Sequence, residues 1–420
     1  MSDDFDVIVV GSGPAGCTAA IMLGRSGLRV GLLEAHRDVN HYKRLCTHSI
    51  RSSALPTIRR LGLDTTFDEL GGVHQHEKAW TRFGWAHERV KEQEHGYNIR
   101  RVTLDPFMRA TAAATPGVEL MLGARVRELT RSGGRINGVV ADVEGTQRRI
   151  GATLVVGADG YSSKIADLAA LNGTASPNSR FAYQATYRNV KCSDGWSGGV
   201  WYREPNVNFF FNNDSGVTIL AVFPGKDQLP HFRTDREEAL LASFAGLPNV
   251  PDLSAAERVS SVIGTTDYPS ITRRRIFAPG VVLIGDAAMV GDPVWGTGCG
   301  WAFQSAEWLA DAVSGALHSK STQDVDRAAR RYQRKHRRLL LPHQLVNIDF
   351  SRRSTFNPLE RLAYGGASRD QRVADRVFAV GTRNSSPLTL LDPVLLTRAA
   401  IARRKSVTPA RSSAPATDIA

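Results

Sequence analysis

Asp6-Val7-Ile8-Val9-Val10-Gly11-Ser12-Gly13-Pro14-Ala15-Gly16, closed by Gly31-Leu32-Leu33-Glu34, decides the fold of this 420-residue chain. Val7 to Val10 form an uninterrupted β-branched run, as expected of a parallel strand buried on both faces. Gly11 permits a tight turn, Gly13 lets backbone approach a pyrophosphate, and Gly16 lets a helix pack close to the strand. Pro14 and Ala15 open that helix, whose free N–H groups and positive dipole end point at phosphate. A second strand over 28–33 ends in Glu34, 18 residues beyond Gly16. A carboxylate there accepts adenosine ribose hydroxyls and repels a 2′-phosphate, so the site suits FAD or NAD and disfavours NADP.

Two further segments extend this reading. Val155-Val156-Gly157-Ala158-Asp159-Gly160 and Val281-Val282-Leu283-Ile284-Gly285-Asp286 are again apolar strands ending in glycine and aspartate. The latter runs on to Gly296-Thr297-Gly298-Cys299-Gly300. A lone glycine fingerprint is weak, but three in this order imply a single flavin dinucleotide, FAD, gripped by separated parts of the chain.

Composition is that of a globular protein long enough for two sizeable cores. The four cysteines are widely spaced and form no His/Cys cluster, which argues against a structural metal and against a disulfide framework. The N-terminus runs straight into a strand, so no signal peptide is expected. No apolar run reaches the ~18 residues of a membrane span, and the expected location is cytoplasmic. Of the formal charge of +12, +11 falls between Gln323 and Lys405, where 18 Lys/Arg face 7 Asp/Glu. The densest part, Arg327 to Arg338, places basic groups all around a helix. This predicts a solvated helix, with peripheral contact to a membrane or a lipid-like ligand as the second reading. No nucleic-acid-binding motif accompanies it.

The organisation predicted is an α/β fold: a discontinuous Rossmann-type FAD-binding domain (1–175 and 264–320) interrupted by an antiparallel β-sheet substrate domain (176–263). Aromatic and β-branched runs at 181–190, 200–203, 207–211 and 217–223 carry the second expectation. A helix over 235–245 is expected on that sheet, with Thr234 and Glu237 spaced as a capping box. A basic helical region follows over 321–405, broken at Pro342, Pro358, Pro387 and Pro393, and then a disordered tail over 406–420.

The combination of Gly11-x-Gly13-x-x-Gly16, Gly157-Ala158-Asp159-Gly160 and Gly285-Asp286 resembles the single-component FAD-dependent monooxygenases of the aromatic-hydroxylase type. Squalene-epoxidase-like and geranylgeranyl-reductase-like flavoproteins share that fold. The resemblance covers residues 1 to about 320. It implies that Asp286 faces the ribityl chain and pyrophosphate, and that Asp159 touches FAD or, on the alternative reading, only stabilises the turn at Gly160. It also implies cofactor contacts from Arg101 (with Leu104 and Asp105), from Arg44 beside the flavin, and from the backbone of Val126 at adenine. The stretch Asp292 to Trp301 is the expected flavin edge. There Gly298 and Cys299 start a helix aimed at the flavin pyrimidine side, and Trp295 stands over the substrate or serves as an ordinary hydrophobic plug. Trp295, Gly298 and Cys299 are therefore the flavin-edge candidates, and no acid/base triad is demanded.

No second dinucleotide motif is present, so NAD(P)H must bind transiently or a separate flavin reductase must deliver electrons. The resemblance implies NAD(P)H, O2, a flavin C4a-hydroperoxide, and hydroxylation or epoxidation of a small hydrophobic aromatic, polyketide-like or terpenoid substrate. The alternative is a reductase saturating a prenyl chain, to which Cys46 points, although the glycines that usually follow it are missing. Halogenases of this fold carry a Trp-x-Trp-x-Ile signature absent here. A non-catalytic flavin-binding protein is the remaining class.

Overall fold

The computed structural model describes residues 4–89, 94–192, 195–353 and 355–404. The tail expected over 406–420 lies outside the described residues. A central sheet runs in the order Phe277–Ala278, Val281–Leu283, Thr146–Gly157, Phe5–Val10, Val30–Glu34, Val118–Leu122; these are parallel apart from the first, edge strand, and Arg135–Val143 and Arg125–Ser132 extend the sheet antiparallel from Thr146–Gly157. Its registry explains why three distant segments converge. Val10 lies opposite Gly157, and Gly157 opposite Leu283. The chain therefore leaves all three strands at one edge, with Gly11, Ala158 and Ile284 side by side. Crevices beyond the carboxyl ends of parallel strands are where such sheets bind ligands. The helix Pro14–Arg25 packs on this sheet with Ala19, Ala20, Ile21 and Leu23 inaccessible to solvent.

The second sheet contains the expected strands, observed as Ala182–Arg188, Gly198–Arg203, Asn206–Asn213 and Val217–Phe223. It also takes Glu77–Thr81 and Gly84–His87, from well before residue 176, with Glu77–Thr81 pairing parallel to Gly198–Arg203. Its strands are continuous apolar runs because both faces are covered. Tyr183, Trp201, Phe210, Leu220 and Val222 pack against Phe232, Leu240 and Phe244. Tyr202, Phe209, Phe211, Ala221 and Phe223 pack against Phe350, Phe356, Tyr364 and Val377 of the C-terminal region.

Three local expectations are corrected. The helix on the sheet spans Arg236–Ala242, and its cap is Asp235, whose carboxylate accepts the Glu237 and Glu238 N–H groups at 2.9 and 3.0 Å. Thr234 ends the preceding short helix, one residue too early to reach those donors. Pro342 does not break the chain, because one helix runs through it from Thr322 to Arg352. The missing hydrogen bond and ring clash, about 3 kcal/mol, are opposed by burial of the apolar side chains Leu340 and Phe350 on either side. Nor is that helix solvated all round. Val325, Ala328, Ala329, Tyr332, His336 and Leu340 form a buried stripe against Gly298–His318, leaving Arg327, Arg330, Arg331, Arg334, Arg337 and Arg338 outside. The remaining helices, Pro358–Ala367, Gln371–Gly381 and Pro393–Arg404, use Pro358 and Pro393 at their first positions. No helix among the described residues is long and apolar enough to cross a membrane.

Candidate functional site

The glycine loop has the geometry its spacing predicts. Gly11 has φ +102°, and a Cβ there would lie 2.6 Å from the Ala158 carbonyl oxygen. A Cβ on Gly16 would lie 1.8 Å from the Gly11 oxygen, so helix and turn touch through backbone alone. Above Gly13 there is room, the nearest atom being Arg101 Nη2 at 4.0 Å from a built Cβ. That opening at a helix N-terminus, faced by a guanidinium, fits a pyrophosphate. Glu34 is buried at the end of its strand. Its Oε2 accepts from Ser12 N–H (3.0 Å) and Ser12 Oγ (2.7 Å), and its Oε1 accepts from His36 N–H (2.9 Å). Burial alone would raise its pKa, but the His36 and Ser12 hydrogen bonds hold it below the ordinary glutamate value, so it stays an anion for ribose hydroxyls. Val126 lies beside it, two residues after Ala124, whose N–H binds the Glu34 carbonyl (2.8 Å).

Gly285 packs directly on Ala15, which joins the first and third segments. Asp286 faces Gly298 and pairs with Lys43 (3.2 Å), and this carboxylate raises the pKa of the lysine ammonium. Arg101 is buried. Its Nε donates to Asp105 Oδ1 at 2.5 Å, while Asp105 Oδ2 accepts the Lys43 N–H at 3.1 Å. Burial opposes the charge on Arg101, yet Asp105 keeps its pKa above the usual arginine value. Arg44 is exposed and makes no side-chain hydrogen bond or ion pair among the described residues, and its neighbour Lys43 makes the bridge across the cleft. Asp159 lies with its backbone against Gly11, but its carboxylate accepts from Ser163 Oγ (2.6 Å) and Ile165 N–H (3.0 Å). Its side chain thus stabilises the turn and following helix, the local alternative read from the sequence.

Sequence reasoning missed two features of this cleft. Arg109 is buried, donates from Nε to Ser12 Oγ (2.9 Å), and binds the carbonyls of Val39 and His41 through its other nitrogens. It ties the glycine loop to the segment that covers it. Its signal was legible, since 101, 105 and 109 recur at helical spacing on one face. Cys46 and Cys299, 253 positions apart in the chain, meet through their thiols. The Cys299 hydrogen bond lowers the pKa of Cys46 below the usual thiol value, and the same contact together with burial raises that of Cys299. Cys46 also accepts the His48 N–H at 3.3 Å. No local spacing announces that pair.

Beyond the loop Pro293–Trp295 lies a cavity walled by Val200 and Tyr202 of the second sheet and by Tyr364, Val377 and Phe378 of the C-terminal helices. Trp295 lines it. At its floor Arg51 pairs with Glu77 (2.6 Å) and donates from Nε to the Trp295 carbonyl (3.2 Å), fixing the flavin-edge loop to the sheet. Glu88, on the same wall, has its pKa raised to about 7, first by burial and then by Glu77. The cavity therefore holds one carboxyl that exchanges a proton near neutral pH. Arg51, Glu77 and Glu88 carry no motif and were not foreseen.

Comparison with known proteins agrees with this geometry. A family model described as FAD binding domain matches residues 4–338. Digeranylgeranylglycerophospholipid reductase 1 of Methanococcoides burtonii is 27% identical over 331 residues, covering 76% of each protein. The crystal structure of a probable FAD-dependent monooxygenase from Pseudomonas aeruginosa superposes with a TM-score of 0.68 at 19% identity, over 89% of this chain and 99% of that one. A myxobacterial chondrochloren halogenase gives 0.70 at 20% identity, over 95% and 97%. The two solved structures share the fold. With the family model spanning most of its length, the chain belongs to the FAD-binding-domain family and is an FAD-dependent oxidoreductase.

Proposed function

We propose that this protein inserts one oxygen atom from O2 into a hydrophobic small molecule, by hydroxylation or epoxidation, with NAD(P)H or a separate flavin reductase supplying electrons. The observation that carries this reading is the cavity that adjoins the loop at Val294 and Trp295, with Tyr202, Trp295, Tyr364 and Phe378 on one side and Arg51, Glu77 and Glu88 on the other. Bound in the cleft, FAD supplies the two-electron chemistry that activates O2. The chain's own groups supply the rest. Gly13, Arg101 and Glu34 would hold the pyrophosphate and ribose, and Asp286 the sugar chain. The N–H groups opening the helix Gly298–His318 place a positive dipole end where negative charge develops on reduction. Tyr202, Tyr364 and Val377 keep water from the substrate, and Glu88 can hold or release a proton at neutral pH.

Reduction of a prenyl chain is the second reading, favoured by the relative from Methanococcoides burtonii and by the lowered Cys46 thiol in the cleft. The two separate by mass. Purified holoprotein is incubated with NADPH or NADH, an extract of its source cell and 18O2. A product carrying one 18O atom is expected. A product gaining only two hydrogens, formed equally without oxygen, would replace the proposal by the reductase reading. No flavin reduction under any condition would leave only a binding protein.

A further inference from the structure

A second cavity adjoins the first and shares Trp295, Tyr364, Val377 and Gly381 with it. Its lining is mostly apolar, yet three side chains on it leave buried donors without acceptors: Trp295 Nε1, Asn347 Nδ2, and Nε and Nη1 of Arg383. Arg383 is the unusual member. Nη2 is anchored by Ser53 Oγ (2.8 Å) and Gln304 Oε1 (3.3 Å), and the guanidinium lies over Trp301, 5.3 Å from the ring centroid. Its remaining three N–H bonds have no partner among the described residues. Among the described residues no carboxylate forms an ion pair with it. Asp349 and Glu360 line the same cavity, but Arg353 engages both. Burial, and then Arg51, push the Arg383 pKa down, and burial followed by Arg383 does the same to His343. The residue is also held at φ +65°, a left-handed conformation that non-glycine residues adopt rarely.

Arg383 does not face the cofactor cleft. Residues advance 100° around a helix, so Gly300, against which its Nη2 lies, is on the opposite side from Gly298 and its neighbour Asp286. A buried cation with unused donors is costly unless an anion arrives to meet it. We propose that Arg383, with Asn347 and the Trp295 indole N–H, forms a carboxylate-binding subsite. The substrate is then a hydrophobic acid whose apolar body passes Trp295 toward the flavin edge. This rests on the oxygenase reading for the direction of the body, and on the orphaned donors alone for the acid.

The test uses FAD-loaded protein and two acids with their matched amides: 2-naphthoate with 2-naphthamide, and decanoate with decanamide. Binding is followed by titration calorimetry and by the visible flavin spectrum. At least one acid is expected to bind about 30-fold more tightly than its amide. Arg383→Gln brings acid and amide within about threefold without changing FAD content, and Arg383→Lys restores part of the preference. Should Arg383→Gln not fold, the wild-type comparison and Asn347→Leu, expected to weaken acid binding more than amide binding, stand in its place. Equal binding of acid and amide by the wild type, no binding of either acid, or an undiminished preference in Arg383→Gln would overturn the subsite. Arg383-dependent acid binding that stimulates no O2 uptake would leave the subsite standing and remove the oxygenase reading. Uptake stimulated equally by acid and amide would do the reverse.

Discussion

At the scale of the residue, two carboxylates frame the dinucleotide cleft from opposite ends. Glu34 is buried, fully ionised by its Ser12 and His36 donors, and fixed in one orientation. Among the described residues, the Asp286 carboxylate is tied only to the half-exposed Lys43 and can turn to a ligand. Each hydrogen bond from a sugar hydroxyl to a charged group is worth about 1.5–3 kcal/mol, more than tenfold in affinity. Glu34→Ala with Asp286→Ala should therefore weaken FAD binding at least about 100-fold, read by fluorescence titration of the apoprotein. A double variant that purifies with a full complement of flavin would contradict the assignment of this cleft. The same scale shows what spacing conceals. Asp159 matched the family motif as well as Asp286 did, yet its oxygens serve Ser163 and Ile165. An aspartate beside a glycine is as good a turn residue as a ligand, and only partners within reach distinguish them.

At the scale of the element, the long helix Thr322–Arg352 shows packing overriding local preference. Its buried stripe carries two histidines, His336 and His343, whose pKa values fall to about 4. Burial is the leading cause for both, with Arg383 adding to it at His343. An unfolded histidine takes up a proton near pH 6.5, and these do so only near 4. The unfolded state thus binds more protons between those limits, and stability is lost as pH falls from about 6.5 to 4. At pH 5 each contributes a loss of about 2 kcal/mol. His336→Leu should remove about half of that acid slope, as measured by urea denaturation at pH 7.5, 6 and 5. An unchanged slope would mean that the histidine is hydrated and the helix less tightly docked than described.

At the scale of the whole molecule, the C-terminal helices are the outer wall of the second sheet and one side of both cavities. Phe350, Phe356, Tyr364 and Val377 cover the face presented by Tyr202, Phe209, Phe211 and Phe223. Removing residues 355–404 would expose those rings as one apolar patch, far beyond what a monomer carries in water. The truncated protein should bind a hydrophobic dye strongly and self-associate, as judged by size-exclusion chromatography. A monomeric truncated protein with unaltered dye binding would show the wall to be dispensable. Arg327, Arg330, Arg331, Arg334, Arg337 and Arg338 lie on the outward side of the region, and their charge is not needed to explain the burial beneath.

What the sequence determined by itself was everything encoded locally: a strand, a glycine turn, a helix start and an acid at fixed spacing, repeated often enough to define the cofactor. The antiparallel strands were equally legible, because aromatic and β-branched runs between Asn/Gly turns state their own conformation. The tertiary structure alone decided which distant residues meet. Cys46 and Cys299, Arg51 and Glu77, and Arg383 and Trp301 are joined by the packing of elements far apart in the chain. It also decided that Glu77–Thr81 completes the second sheet and that a proline could remain inside a helix. Those outcomes depend on burial and on the low dielectric between elements, which act on whatever the fold brings together.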